Sequence, residues 1–450
     1  MNSSPLNYLR RYAFWALDLM KGGEIRKHFN DIQETLEKNS FDSLKEKINS
    51  PLSDLLKKAT NHSNFYTDFK HCKSLKDFPV INKNIIKENF ENLLIKTSSK
   101  EKHHKMFTSG STGIPFMVYQ NQGKKNRNTA DTIYFAAQAG YTLGDKLLYV
   151  RLWNENLKKR KIPAFLQNIV QVNIDDLKKE DYIKNLLKKL QKDPSPKAWL
   201  GYPSGLEKIC DYLDKINSRP LDCNVQSIIG MSESLSDHVR SKMWYYFNTP
   251  MVSRYSNFEN GIIAQQPADG DFFVVNWASY ILEILDFNTD EPAKEGQLGR
   301  IVITDLYNHA TPMIRYDTGD VGALTKIPSY PFPVLKSVEG RKADILMDTQ
   351  GNMTSPYKYM SILPAFPELK QVQFVQNEKN RYTIKLNVDN TFNREAELVR
   401  SFKGIIGKNA RVTVDYVNEI PLLNSKKRKI TRNLYLENTR ETQNEKSLTH

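Results

Sequence analysis

The sequence predicts an α/β protein. We expect a large N-terminal domain with mainly parallel sheets flanked by helices, a small β subdomain, and then a small α+β C-terminal domain. Between residues 105 and 305, short apolar runs alternate with amphipathic segments, which is typical of parallel strands covered by helices. Beyond Asp344, three alternating strand-like runs and one helical run follow. A chain of 450 residues is long enough for two or more domains.

Local patterns predict the individual elements. Runs that read as strands are Leu147–Leu152, Ile169–Ile174, Ala198–Tyr202 and Val225–Gly230 in the large domain, Phe272–Val275, Tyr280–Asp286 and Arg300–Asp305 in the β subdomain, and Gln371–Val375, Tyr382–Val388 and Arg411–Val417 in the small domain. Runs with helical periodicity are Asn128–Ala139, Ser204–Ile216, Ser236–Phe247 and Arg394–Ile406. Residues 436–450 are polar without apolar periodicity, so we predict a flexible tail.

Residues 1–75 are predicted to be helical. Near the start, Tyr8, Tyr12, Trp15, Ala16 and Leu19 fall near helical spacing, and several Arg and Lys residues are close by. Two interpretations follow: a helix packed on the main domain, which we favour, or a helix weakly associated with a membrane surface.

The composition narrows the function without deciding it. Lys and Arg number 65 against 51 Asp and Glu, a net charge of +14, so nucleic acid or an anionic membrane is a conceivable partner. The lysines are scattered among Asn, Glu and Asp, which favours a solvated surface and makes nucleic acid the lesser alternative. Three widely spaced cysteines form neither a disulfide framework nor a zinc pattern, and no secretory signal is visible. We therefore expect a cytoplasmic protein.

The most informative segment is residues 107–115, Phe-Thr-Ser-Gly-Ser-Thr-Gly-Ile-Pro. Two glycines permit sharp turns and a close approach of a ligand to the backbone. Hydroxyl groups and exposed N–H groups suit phosphate oxygens. The candidate phosphate-binding residues are Thr108, Ser109, Gly110, Ser111, Thr112 and Gly113.

Four more motifs follow in order: Arg-Tyr-Ser-Asn-Phe-Glu at 254–259, Arg-Tyr-Asp-Thr-Gly-Asp at 315–320, Glu-Gly-Arg-Lys-Ala-Asp at 339–344 and Pro-Leu-Leu-Asn-Ser-Lys-Lys-Arg-Lys at 421–429. Together with the loop, this series resembles the adenylate-forming enzyme superfamily. Within it the chain is most similar to the phenylacetate-CoA ligases and the CapK-like proteins of capsular polysaccharide clusters. Phe116 follows Pro115, where many other members have Lys.

The resemblance implies a role for each motif. Glu259 would hold Mg²⁺, Tyr255 would stack on adenine, and Asp320 would bind the ribose hydroxyls. Arg341 would contact the nucleotide. Lys427 would be the catalytic lysine, with Lys426 and Lys429 as alternatives because Lys replaces the family's Gly before it.

Two further segments resemble the family's ligand loops. Residues 199–204 resemble the acyl-pocket loop, and Gly230–Glu233 resembles the adenine-side loop, which adds Ser232 and Glu233 to the nucleotide-binding candidates. Both should lie at the carboxyl ends of predicted strands, where open α/β sheets bind ligands.

The resemblance thus implies ATP- and Mg²⁺-dependent activation of a carboxylic acid to an acyl-adenylate, then transfer to coenzyme A or to an amine or hydroxyl group, such as one on a sugar-linked acceptor of surface polysaccharide biosynthesis. The implied domains are a helical segment over 1–75, an adenylation domain over 76–342 and a mobile C-terminal domain over 343–435, rotating about Ala343. The alternatives are an inactive nucleotide-binding relative, suggested by Ser256, Ala343 and Lys426, or a basic nucleic-acid-binding protein.

Overall fold

The computed structural model describes residues 4–38, 40–72, 74–95, 103–108, 116–153, 158–341, 345–354, 358–359, 362–388, 392–421 and 430–436. The helices are α1 (Pro5–Met20), α2 (Glu24–Lys38), α3 (Phe41–His62), α4 (Lys83–Glu88), α5 (Phe90–Leu93), α6 (Gln122–Gln138), α7 (Lys161–Leu166), α8 (Glu180–Lys192), α9 (Pro203–Lys215), α10 (Asp237–Phe247) and α11 (Glu395–Ile406).

The strands of the large domain are β1 (His104–Thr108), β2 (Phe116–Gln120), β3 (Lys146–Arg151), β4 (Ile169–Asn173), β5 (Lys197–Gly201), β6 (Val225–Met231), β7 (Met251–Asn257), β8 (Gly261–Gln265), β9 (Val274–Val275), β10 (Tyr280–Leu285), β11 (Gly299–Asp305), β12 (Tyr316–Thr325) and β13 (Val334–Arg341). Those that follow are β14 (Leu346–Met347), β15 (Met353–Thr354), β16 (Leu369–Glu378), β17 (Arg381–Val388), β18 (Arg411–Tyr416) and β19 (Thr431–Asn433).

The central sheet has the order β4-β3-β5-β6-β7-β8-β9. The pairs from β4 to β7 are parallel, and β8 and β9 are antiparallel additions. Between successive parallel strands the chain crosses over through α8, α9 and α10, whose apolar faces pack with one face of the sheet in a shared core. On the other face, apolar residues of β5, β6 and β7 pack with Ala136 of α6. Helices on both faces are the arrangement expected for buried parallel strands.

Two smaller sheets follow. Strands β10 to β13 form an antiparallel sheet in sequential order, and its apolar residues share a core with α2, α3 and β2. Strands β18-β17-β16-β19 form a second sheet, and it packs with α11 around a separate core that includes Phe374 and Phe402. The predicted fold class is therefore confirmed, and most predicted strands and helices of both regions agree with the structure to within a few residues. Two predictions were wrong in part. Helix α6 begins at Gln122, before the predicted Asn128, and the run Phe272–Val275, predicted for the β subdomain, instead supplies β9 at the edge of the central sheet, because Val274 and Val275 pair with β8.

The N-terminal helices partly match their prediction. In helix α1 the polar Asn7 and Asp18 are buried, whereas Tyr12 and Leu19 are exposed. Asn7 contacts the main domain by donating to Asp145, and Asp18 accepts from N–H groups of α2. Within the described ranges, no helix combines the length and the apolar character that crossing a membrane requires.

Candidate active site

Several predicted site residues lie where parallel strands of the central sheet end. Ser232 and Glu233 directly follow β6, and Met231 at the end of β6 pairs with Arg254 of β7. Ser232 and Tyr255 are the next residues on these two neighbouring strands, so they lie side by side, as expected at the carboxyl edge of a parallel sheet. Ser232 has φ of 67°, a left-handed conformation that is uncommon for a residue with a side chain.

Tyr255 and Asp320 are joined by a hydrogen bond. The Tyr255 hydroxyl donates to Asp320 Oδ2 at 2.8 Å and lies 3.3 Å from Thr318 Oγ1. Burial, and then the neighbouring Asp320 carboxylate, raise the pKa of Tyr255 well above its ordinary value, so this phenol remains a donor. The bond fixes one oxygen of the half-buried carboxylate that was predicted to bind ribose.

Glu259 is almost completely buried, at 1% exposure, and it is held by two polar groups. The Tyr316 hydroxyl donates to Glu259 Oε1 at 2.8 Å, and Lys83 Nζ lies 3.0 Å from the same oxygen. A charged carboxylate is stable at such a site only when it is paired. Burial, and then Glu259 itself, raise the pKa of Tyr316, which keeps this phenol protonated.

Lys83 was not predicted from the sequence, yet it connects the loop hairpin with Glu259. Its ammonium group lies 5.5 Å from the centroid of the Phe116 ring, and Phe116 is the first residue of β2 after the hydroxyl-rich loop. The segment before Lys83 is fixed on β12 by Ile81, whose N–H donates to Arg315 O at 3.0 Å and whose carbonyl accepts from Asp317 N at 2.7 Å. Since 176 residues separate Lys83 from Glu259, no local pattern could reveal the pair.

The hydroxyl-rich loop connects the two strands of a hairpin. Thr108 ends β1 opposite Phe116, which begins β2. The loop residues Ser109, Gly110, Ser111, Thr112 and Gly113 lie outside the described residues, as does the Thr108 side chain. Phe116 at the end of the loop is thus brought to Lys83 and Glu259.

Arg341 and Lys427 are described only in part or not at all. The backbone of Arg341, at the end of β13, pairs directly with Asp320 of β12, and the Arg341 side chain is outside the described part. Lys427, Lys426 and Lys429 lie outside the described residues. The pairing of β12 with β13 brings two predicted nucleotide-binding positions together.

The described side chains suit Mg²⁺ that is bound together with a nucleotide. They suit less well a metal ion that is held by protein ligands alone. Over the described ranges, no group of three or more His, Cys, Asp or Glu side chains could hold a metal ion. Mg²⁺ is usually bound by one or two protein carboxylates together with phosphate oxygens and water. Glu259 can supply that single carboxylate. In this structure its charge is balanced by Lys83.

Comparisons with known proteins agree with this arrangement. The family model of the CapK C-terminal domain matches residues 346–433. Protein CapK of Staphylococcus aureus is 24% identical over 434 residues, which cover 89% of this chain and 91% of that protein. Phenylacetate-coenzyme A ligase of Pseudomonas putida is 22% identical over 290 residues, which cover 62% of this chain and 64% of that enzyme.

The chain is thus similar to CapK along most of its length and to the phenylacetate-CoA ligases over more than half of it. A solved structure of 2-hydroxyisobutyryl-CoA ligase, in the postadenylation state and in complex with R3-HIB-AMP, has the same fold. Its TM-score is 0.68 at 15% identity, over 93% of this chain and 94% of that one. The resemblance inferred from the five motifs and the prediction of a ligase are both confirmed.

Proposed function

We propose that this member of the CapK and phenylacetate-CoA ligase branch activates a carboxylic acid with ATP and Mg²⁺, forming an acyl-adenylate and pyrophosphate, and then transfers the acyl group to an acceptor. The observation that carries the proposal is the pair of carboxylates on adjoining elements, Asp320 and Glu259, each held by a buried tyrosine hydroxyl. These carboxylates have separate tasks. Asp320 binds the ribose hydroxyls, and Glu259 binds the Mg²⁺ that neutralises the phosphates.

Activation requires an anionic carboxylate to attack an anionic α-phosphate. Positive charge and fixed N–H donors must therefore surround the reacting groups before the reaction begins. We assign the N–H and hydroxyl groups of residues 108–113 to the phosphates and Tyr255 to the adenine. Arg341 contacts the nucleotide, and Lys427 acts on the charge that develops as the adenylate forms.

Lys83 has a different task. It pairs with Glu259 and is only half-buried, so its flexible side chain would be able to release Glu259 to Mg²⁺. On this assignment Glu259 would have a cationic partner with and without the metal, and would not be left buried and unpaired at a cost of several kcal/mol.

The acceptor in the second step is coenzyme A or an amine or hydroxyl group. Coenzyme A is favoured by relatives that are named as CoA ligases. The similarity to CapK also suits a sugar-linked acceptor in surface polysaccharide biosynthesis, at a cytoplasmic location.

ATP–pyrophosphate exchange with a panel of carboxylic acids tests the proposal. We expect acid-dependent exchange by the wild type and a loss of about 100-fold in Glu259→Gln, the size seen when one electrostatic contributor is removed. Glu46→Gln, on an exposed part of α3, is the matched control. Exchange that is unaffected in Glu259→Gln, or binding of ATP without exchange for any acid, would contradict the proposal and favour an inactive nucleotide-binding relative.

A further inference from the structure

Two buried arginines lie at the carboxyl edge of the central sheet, and among the described residues neither has an anionic partner. Arg151 is the last residue of β3 and is 8% exposed, and Arg254 in β7 is 6% exposed. Neither forms an ion pair with any side chain that the structure describes. A buried guanidinium usually has a carboxylate or phosphate partner, because desolvating its charge is expensive.

Each of these arginines is held in place but keeps a free donor. Arg254 Nε donates to Gln265 Oε1 at 2.8 Å, and Gln265 Nε2 donates to the Phe135 carbonyl of α6 at 2.7 Å. Arg254 Nη2 has no hydrogen-bond partner within the described part of the chain. Burial lowers the pKa of Arg254 to about 10, so the group is still charged at neutral pH.

Arg151 is held by aromatic groups. Its Nη1 donates to the Tyr149 hydroxyl at 3.3 Å, and its guanidinium lies 5.5 Å from the Trp153 ring and 5.7 Å from the Phe258 ring. Nε of Arg151 is buried without a partner among the described residues. Phe258 directly precedes Glu259 in the sequence, so Arg151 lies close to the proposed site.

The sheet geometry places both arginines on one side. Val150, Gly201, Gly230 and Ser253 form one row across β3, β5, β6 and β7, and Arg151 and Arg254 each lie one residue beyond that row. They therefore point to the same face, with Cα atoms about three strand spacings, or 14 Å, apart. Long side chains can converge from that distance.

That face is not the nucleotide side. Consecutive residues of a strand point to opposite faces, so Arg254 and Tyr255 point apart. Tyr255 contacts Asp320, whereas Arg254 lies with α6 and with the Tyr149 side of the sheet. An anion bound by Arg151 and Arg254 thus belongs to a second ligand group rather than to the ribose end of ATP.

We infer that Arg151 and Arg254 select an acid substrate that carries a second oxyanion, a carboxylate or a phosphate, remote from the carboxyl group that is activated. The fork geometry of guanidinium suits either group. This inference rests on the proposed function and specifies its substrate class.

The test is pyrophosphate exchange with matched acids of equal chain length: a monocarboxylate, the corresponding dicarboxylate, and the corresponding ω-phosphate. We expect the wild type to prefer one of the two dianionic acids, and the better one identifies the source of the oxyanion. Arg254→Gln and Arg151→Gln should raise KM for that acid by about 10- to 100-fold, the range for losing hydrogen bonds to a charged group. KM for the monocarboxylate should change little, and Arg254→Lys should recover part of the preference.

The outcomes separate the two proposals. No exchange with any acid contradicts the proposed function itself. The substrate class is overturned, and the function left intact, if the wild type prefers the monocarboxylate. The same conclusion follows if both arginine variants raise KM equally for the monocarboxylate and for the dianionic acids. A thermal melt checks folding of the Gln variants.

A second and independent observation concerns the outer surface of α1. Its apolar side chains face solvent: Leu9 is 63% exposed, Tyr12 68%, Leu19 75% and Met20 83%. Tyr12 lies three residues after Leu9, and Leu19 and Met20 lie seven and eight residues after Tyr12. This spacing puts the four side chains in a single stripe along the helix. The buried residues of α1 are instead polar, because Asn7 donates to Asp145 Oδ1 at 3.1 Å and Asp18 accepts from the N–H groups of the first turn of α2.

Helix α7 extends this stripe. Ile162, Phe165 and Leu166 are each more than 60% exposed. Arg10 of α1 joins the two helices, since its Nη2 donates to Phe165 O at 3.2 Å and its guanidinium lies 5.2 Å from the Phe165 ring. We call the exposed side chains of α1 and α7 together the apolar platform.

Basic residues predominate on the described parts of α1 and of the segment that contains α7. Exposed basic residues flank it on both helices, namely Arg11, Lys21, Lys158, Arg160 and Lys161. The acidic residue of α1, Asp18, is buried, and residues 158–168 contain none. Exposed Leu, Tyr and Phe rimmed by Lys and Arg are typical of helices that lie in the interface of an anionic bilayer.

We infer that the apolar platform docks this protein peripherally on an anionic lipid surface. Flotation with vesicles tests this inference, using phosphatidylcholine alone and phosphatidylcholine with roughly one third phosphatidylglycerol. We expect binding to the anionic vesicles that weakens with salt, and a loss of about tenfold or more in the variant Leu9→Ser/Leu19→Ser/Phe165→Ser, since each side chain loses apolar burial. Trp244→Ser, at an exposed apolar residue of α10, is the control.

Equal binding by wild type and the triple variant would overturn the inference. So would light scattering that shows a dimer dispersed by the triple substitution while vesicles bind neither protein, because the platform would then be an interface between two copies of the chain.

Discussion

At the scale of single residues, Asp320 is the position at which nucleotide binding is tested most directly. Its carboxylate is held by Tyr255 and is proposed to accept hydrogen bonds from ribose. Asp320→Ala should weaken ATP binding by about 1–3 kcal/mol, measured by calorimetry. Tyr255→Phe keeps the ring and removes only the hydroxyl, so a smaller loss is expected. Unchanged ATP affinity in a folded Asp320→Ala protein would contradict the ribose assignment.

Lys427 should act on chemistry rather than on binding. If it neutralises charge only as the adenylate forms, Lys427→Ala should lower kcat with little change in the Kd for ATP. Single-turnover adenylation beside an ATP titration measures both. Lys426→Ala and Lys429→Ala are the matched controls in the same basic run. Wild-type adenylation in Lys427→Ala, with an impaired neighbour, would show that the catalytic lysine is the neighbour.

At the scale of elements, a buried ion pair connects α6 with β11 of the antiparallel sheet. Lys124 Nζ lies 2.7 Å from Asp305 Oδ2, both side chains are fully buried, and the ammonium also donates to the Tyr280 hydroxyl at 3.0 Å. Lys124→Met should lower the free energy of unfolding by about 3–5 kcal/mol, because Asp305 remains buried and unpaired. Urea unfolding measures the change. Lys124→Met/Asp305→Asn should recover part of the loss, and an equal loss in both variants would show that the pairing itself contributes little.

The elements themselves were predictable, and much of the site was not. Parallel strands such as β3 and β6 are continuous apolar runs bounded by turns, which is a local signal. Tyr255, Glu259 and Asp320 were found because each lies in a short motif. Lys83 and Arg151 lie in no such motif, and Arg254 begins one of the motifs but was not singled out there. Only the strand order, and the backbone pairing of Ile81 with the start of β12, bring them to the site. Helix α1 was identified by periodicity, but the sequence could not show that its polar residues would be the buried ones.

At the scale of the whole molecule, the separate core around Phe374 and Phe402 supports a small domain that can move as a unit. We propose that it rotates about Ala343, which lies with Lys342 and Asp344 outside the described residues. On this proposal Lys427 approaches the phosphates for the first step and leaves for the second, which requires two domain orientations. The two half-reactions should therefore respond differently to a rigid joint.

Ala343→Pro provides that test, because proline fixes φ near −65° and restricts the preceding residue. We expect the variant to retain much of its pyrophosphate exchange and to lose most of its acyl transfer to the acceptor. Ala343→Ser, which leaves the backbone free, is the control for the substitution, and a thermal melt excludes unfolding. If Ala343→Pro completes the overall reaction as fast as the wild type, the acceptor must reach the adenylate without rotation about this joint. If pyrophosphate exchange and acyl transfer fall equally, residue 343 supports one domain orientation that both steps use. The proposal that each step uses its own orientation would then be wrong.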